Sequence, residues 1–98
     1  MPRFIIRVGF HYTRDKTNYE RVKNEMKNDG FQSRIEKDGK LFELPIGEYM
    51  IEGDLTISQV IDKAKQVASI ISKDFGLVVS EIKDIEFYNL LSTFPLKK

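Results

Sequence analysis

His11, Tyr12, Arg14 and Lys16 fall within one short segment, and Arg7 stands just upstream of it. An RNA strand can be cleaved without a metal when a base takes the 2′-hydroxyl proton and cations stabilise the crowded phosphorane. His11 suits the first task and Arg14 the second. Histidine is also the side chain that changes charge near neutral pH. Arg7 and Arg34, with Tyr12 and Lys16, are the candidate contacts to RNA, because guanidinium groups can hold phosphate oxygens in pairs. The plainer reading of a single histidine at a strand end is a solvated or hydrogen-bonding residue.

Other chemistries lose support from what the chain lacks. There is no cysteine and only one histidine, which removes disulfides, thiolate nucleophiles and polyhistidine metal sites. No Gly-rich phosphate loop, G-x-S-x-G elbow or H-E-x-x-H stands in the sequence, so no cofactor and no metal is expected. Carboxylate pairs such as Glu81 with Asp84, or Asp54 with Asp62, have no spacing that sets them apart from surface charge. The net charge of +1 conceals an asymmetry: residues 1–40 hold ten Lys/Arg against six Asp/Glu, and residues 41–98 hold six against nine. All five arginines lie in the first part, where phosphate recognition becomes available if the fold gathers them.

The elements that must position these residues follow from periodicity. Residues 3–10 alternate, with Phe4, Ile6, Val8 and Phe10 on one face and Arg3, Ile5, Arg7 and Gly9 on the other, which predicts a strand. Thr17 and Glu20 have the spacing of a capping box, so a helix is expected from Thr17, carrying Tyr19, Val22 and Met26 inward and stopping at Gly30. Residues 31–37 alternate again, and Asp38-Gly39 signals a hairpin. The returning strand meets Pro45 and Gly47, breaks there, and resumes at Glu48 with Tyr49 and Ile51 inward. Thr56 and Gln59 cap a second helix whose apolar stripe is Ile57, Val60, Ile61, Ala64, Val67, Ala68 and Ile71. That helix is expected to stop at residues 74–76, followed by a strand over 77–82 and a short helix over 84–91.

The order strand, helix, strand, strand, helix, strand predicts an α+β fold of the ferredoxin-like βαββαβ kind: one antiparallel sheet, two helices on one face, and a short C-terminal helix. One domain over residues 2–92 and a frayed tail over 93–98 are expected. The open face shows Arg3, Ile5 and Arg7, joined by Arg34 from the hairpin. Phe4, Phe10 and Tyr49 point with the core, so the face has no aromatic platform for bases. Exposed Ile5 and Met50 predict that this face pairs two copies as a homodimer. No apolar run reaches the length of a membrane span, and a cytoplasmic protein is expected.

From Gly39 the chain reads G-K-L-F-E-L-P-I-G-E-Y-M-I and then E-G-D-L-T-I-S-Q-V-I-D. In the spacing of Gly39, Leu44, Tyr49, Ile51, Ser58 and Asp62 it resembles the GhoS family of small bacterial antitoxins. Phe10 and Tyr12 match an aromatic-acid-aromatic step in that family, with His11 where the family has the acid, and Phe31 and Ile35 match its second strand. The resemblance spans residues 4–91. It implies a ferredoxin-like fold and an endoribonuclease antitoxin that cleaves the mRNA of a small membrane toxin, with RNA as partner and no DNA expected. Because His11 replaces the acid, a metal held at that position is not expected. The alternative is a non-catalytic protein-interaction or effector-binding regulatory module, since this architecture hosts many functions.

Overall fold

The computed structural model describes residues 1–11 and 16–92. Along the chain run β1 (Arg3–Phe10), α1 (Lys16–Asn28), β2 (Arg34–Lys37), β3 (Lys40–Glu43), β4 (Glu48–Glu52), α2 (Ile57–Ile71) and β5 (Phe75–Ile82). The strands form two antiparallel sheets, a three-stranded one in the order β4-β1-β5 and the β2-β3 hairpin. A single bridge, Gln32 to Met50, connects the chain before β2 to β4.

One antiparallel sheet is expected from the sequence, and the described strands divide instead. Pro45 and Gly47 supply the reason. They interrupt the returning strand, so that Lys40–Glu43 pairs with the hairpin while Glu48–Glu52 pairs with β1. Gly47 has φ +86, and a Cβ there would stand 2.8 Å from the Val8 carbonyl oxygen. The Val8 N–H donates to the Gly47 carbonyl at 2.8 Å, so β1 and the break are locked together by backbone.

The core lies between the larger sheet and both helices. Phe4, Ile6, Val8 and Phe10 of β1, Val22 and Met26 of α1, and Val60, Ala64, Val67 and Ala68 of α2 are buried in one cluster with Phe31, Tyr49 and Ile51. Period two in β1 and period 3.6 in the helices therefore meet on one side of the sheet. The Tyr49 phenol is pushed up to about 12, first by burial and then by the neighbouring Tyr19. Within α2 the expected stripe is covered unevenly: Ile57 and Ile61 remain 45% and 37% exposed.

Helix ends follow their capping residues closely. In α2 the Thr56 hydroxyl accepts the Gln59 N–H at 3.1 Å, and the Gln59 side chain accepts the Thr56 N–H at 2.8 Å. For α1, the helix already includes Lys16, so Thr17 belongs to the first turn rather than capping it. It ends at Asn28, two residues before Gly30, φ +95, where Phe31 N–H donates to the Met26 carbonyl and Gly30 N–H to that of Lys27, the paired closure of a left-handed cap.

Two expectations near the C-terminus are corrected. α2 ends at Ile71, short of residues 74–76, because Phe75 and Gly76 are taken up as partners of Phe10 and Gly9. Residues 84–91 form no helix. They run as an irregular strap back to the hairpin, and their carbonyls are used there. Ile85 accepts the Lys37 ammonium at 2.8 Å and Leu91 accepts the Glu43 N–H at 2.9 Å. Phe87 packs on Phe42 with ring centroids 4.9 Å apart, and Asn89 at φ +59 is incompatible with a continuing helix. The tail expected over 93–98 lies outside the described residues. Among the described residues, no helix is long and apolar enough to cross a membrane.

Candidate nucleic-acid interface

Residues paired directly across an antiparallel ladder project to the same side. On the side of the sheet away from the helices, Arg3 is flanked by Glu52 and Ile82, Ile5 by Met50 and Ser80, and Arg7 by Glu48 and Val78. Gly9 faces Gly76. The ladder continues one step further, since the His11 N–H donates to the Asp74 carbonyl at 3.0 Å. By alternation His11 shares this side with Arg7. Its Nε2 lies 3.4 Å from where a Cβ on Gly76 would stand, while nothing lies within 4 Å of the equivalent point on Gly9. The pair of glycines thus leaves bare backbone between Arg7 and His11. Four residues of strand separate those two by about 13 Å, so a group engaged by both must be extended.

Arg34 goes elsewhere. It lines a concavity of about 530 Å³ with Lys23 and Lys27 of α1 and the chain from Gly30 to Ser33. Two local rules build this wall. Lys23 and Lys27 are four apart and share a helix face, and the left-handed Gly30 turns the chain back along that face. Asn24, Gln32 and Ser33 add polar groups, and no carboxylate lines the space. Of the acids adjacent in sequence to this lining, Asp29 is engaged by Lys63 at 3.5 Å, and Glu25 lines a separate concavity with it.

Neighbouring concavities differ in their charge. One pairs Lys23 with Glu20, Glu43 and Glu48, and another pairs Arg3 with Glu36, Asp38 and Glu52. Cations there share their lining with acids, which lowers the potential offered to a polyanion. The lining that holds Lys23, Lys27 and Arg34 includes no acid, although Lys23 also borders the first of these concavities and Arg34 stands opposite Glu43 in the β2–β3 ladder.

The candidate residues from the sequence therefore separate into two groups. Arg7 and His11 share one side of the sheet, and Arg34 stands with two lysines that residue type and strand parity do not single out. Tyr12 and Arg14 lie outside the described residues, and Lys16 opens α1 with its side chain outside them. A signal for the lysines exists in their i, i+4 spacing on the polar face of α1, directly before the glycine that folds Arg34 back. Among the described residues, no group of three or more histidine or carboxylate side chains gathers as a metal site would require. No protein-family model and no curated protein matches this chain.

Proposed function

We propose that this chain is a small cytoplasmic RNA-binding protein of the antitoxin kind that the resemblance to the GhoS family implies, acting on the mRNA of a small toxin. The single observation that carries the binding half is the acid-free wall of Lys23, Lys27 and Arg34. Three cations with polar neighbours suit the phosphates of a single strand, where counterion release supplies affinity without base reading. The frame of the proposal is ferredoxin-like βαββαβ, with β3 and β4 taken as one interrupted strand and the Gln32–Met50 bridge carrying the β2 segment against β4.

The cleavage half of the proposal rests on His11 above Gly76, with Arg7 on the same side. His11 takes the 2′-hydroxyl proton as the 2′-oxygen bonds to phosphorus. The bond from phosphorus to the 5′-oxygen breaks to leave a 2′,3′-cyclic phosphate, water protonates the departing 5′-oxygen, and Arg7 holds a phosphate further along the strand. A protein-interaction module is the second reading, favoured by Tyr88 and Leu91 on the strap, which are 91% and 76% exposed.

Fluorescence anisotropy with a labelled single-stranded RNA, titrated across salt, tests binding. Replacing Lys23, Lys27 and Arg34 with Ala is expected to weaken binding and to flatten the log-log salt slope by roughly 0.7 for each phosphate no longer neutralised. His11→Ala is expected to keep affinity and abolish cleavage. Salt-insensitive or absent binding by the wild type sinks the RNA reading in favour of the interaction module.

A further inference from the structure

We infer that the outer edge of β5 is the seam of a homodimer, where a second copy of this chain adds its own β5 in antiparallel register centred on Leu77. This goes beyond the RNA reading and does not depend on it.

The edge itself is unguarded. β5 pairs with β1 through eight consecutive positions, and among the described residues no strand pairs its other side. Protected edges carry charged side chains, proline or a bulge. F-G-L-V-V-S-E-I has no proline or bulge, and its one charge, Glu81, stands next to its last residue. Its backbone donors and acceptors on that side form a template for another strand.

The core is also unfinished beside this edge. Phe75, Leu77 and Val79 pack against the core but are only partly buried. α2 lies over β1 and β5, and its flank bearing Val67 and Ile70 is turned to α1, where Lys63 meets Asp29. Ile57 and Ile61 occupy the opposite flank, away from α1 and beside β5, and they are the members of the expected stripe left exposed. An apolar strip thus runs from α2 onto the edge strand without a partner in the monomer.

Charge selects a second copy as the partner. The helix-facing row of β5 is Phe75, Leu77, Val79 and Glu81, and Lys73 stands in the bend just before the strand. A cation stands at one end and an anion at the other, with three apolar residues between. Turned through a two-fold axis, the row complements itself: Leu77 meets Leu77, Phe75 meets Val79, and Lys73 meets Glu81 at both ends. Lys73 and Glu81 are exposed, and among the described residues the ion pairs are Lys37–Glu86 and Lys63–Asp29, which leave both available. The dimer expected from the sequence uses the open face, where Ile5 and Met50 stand among Arg3, Arg7, Glu48 and Glu52. The edge offers backbone pairing as well as apolar area.

Sedimentation velocity on the RNA-free protein, from about 5 to about 500 micromolar, reads the result. The wild type is expected to shift with concentration from 11.4 kDa to twice that mass. Lys73→Glu and Glu81→Lys each turn two attractive pairs into repulsive ones and are expected to weaken association about tenfold. Both side chains are on the surface, so the variants keep the fold. The double variant, K73E with E81K, restores opposite charges across the seam and is expected to associate like the wild type. A wild type that stays at 11.4 kDa throughout overturns the inference. So does unchanged association of the single variants, or a double variant that remains as weak as they are.

Discussion

The Phe10 N–H donates to the Tyr19 hydroxyl at 3.0 Å, joining the last residue of β1 to the first turns of α1. The same two rings meet edge to face with centroids 5.1 Å apart. Helix and strand are thus pinned one residue before His11. Tyr19→Phe retains the ring contact and removes the acceptor from a half-buried N–H. It is expected to cost about 1 to 2 kcal/mol in urea unfolding, with the midpoint lowered and the slope unchanged.

Gly47→Ala is expected to be the most damaging of the glycine-to-alanine substitutions. A Cβ at 2.8 Å from the Val8 carbonyl oxygen cannot be accommodated by a side-chain rotation, and φ +86 already disfavours any L side chain. A loss of more than about 2 kcal/mol by thermal or chemical unfolding is expected. Gly39→Ala in the hairpin, where nothing lies within 4 Å, is the comparison that isolates the clash from the backbone conformation.

The Tyr49 phenol is raised in the fold from 10.0 to about 12, so the folded state favours the neutral form. Its contribution to stability is complete below pH 10 and is lost as pH rises from 10 toward 12, because the unfolded chain releases the proton first. Tyr49→Phe removes that ionisation. Melting curves across this alkaline window are expected to fall more steeply for the wild type than for the variant, with the two similar at neutral pH.

Gly76→Ala probes the His11 placement without touching His11. A methyl group would stand 3.4 Å from Nε2, at the near limit of van der Waals contact, so it would press on the imidazole and restrict its movement. Under the RNA reading, cleavage is expected to fall by about tenfold while anisotropy titrations give unchanged affinity, since a proton-transferring group depends on placement and phosphate contacts do not. Equal losses in both assays would assign His11 to binding instead.

Local patterning makes much of this architecture legible. The alternation of Phe4, Ile6, Val8 and Phe10, the Thr56–Gln59 box and the Pro45–Gly47 break each depend on a few adjacent residues, and each stands where expected. What cannot be read is set by distant partners. Residues 84–91 have helical composition, but Lys37, Phe42 and Glu43 claim their carbonyls and rings from across the chain. The same holds for the candidate site. Strand parity assigns Arg34 to the open face, and the structure sets it in a concavity with two lysines of α1, which parity within one strand cannot reveal.

β1 is the central strand of β4-β1-β5, yet it is synthesised before both of the strands that flank it. Arg3 has to wait for Glu52 and then for Ile82 before both of its neighbours exist. At ordinary elongation rates that interval is on the order of seconds, during which Phe4, Ile6, Val8 and Phe10 have no sheet to enter. The nascent chain therefore presents an apolar segment early and buries it late. Arg3 and Arg7, interleaved with those residues, keep that waiting segment charged and reduce its tendency to pair with another emerging chain.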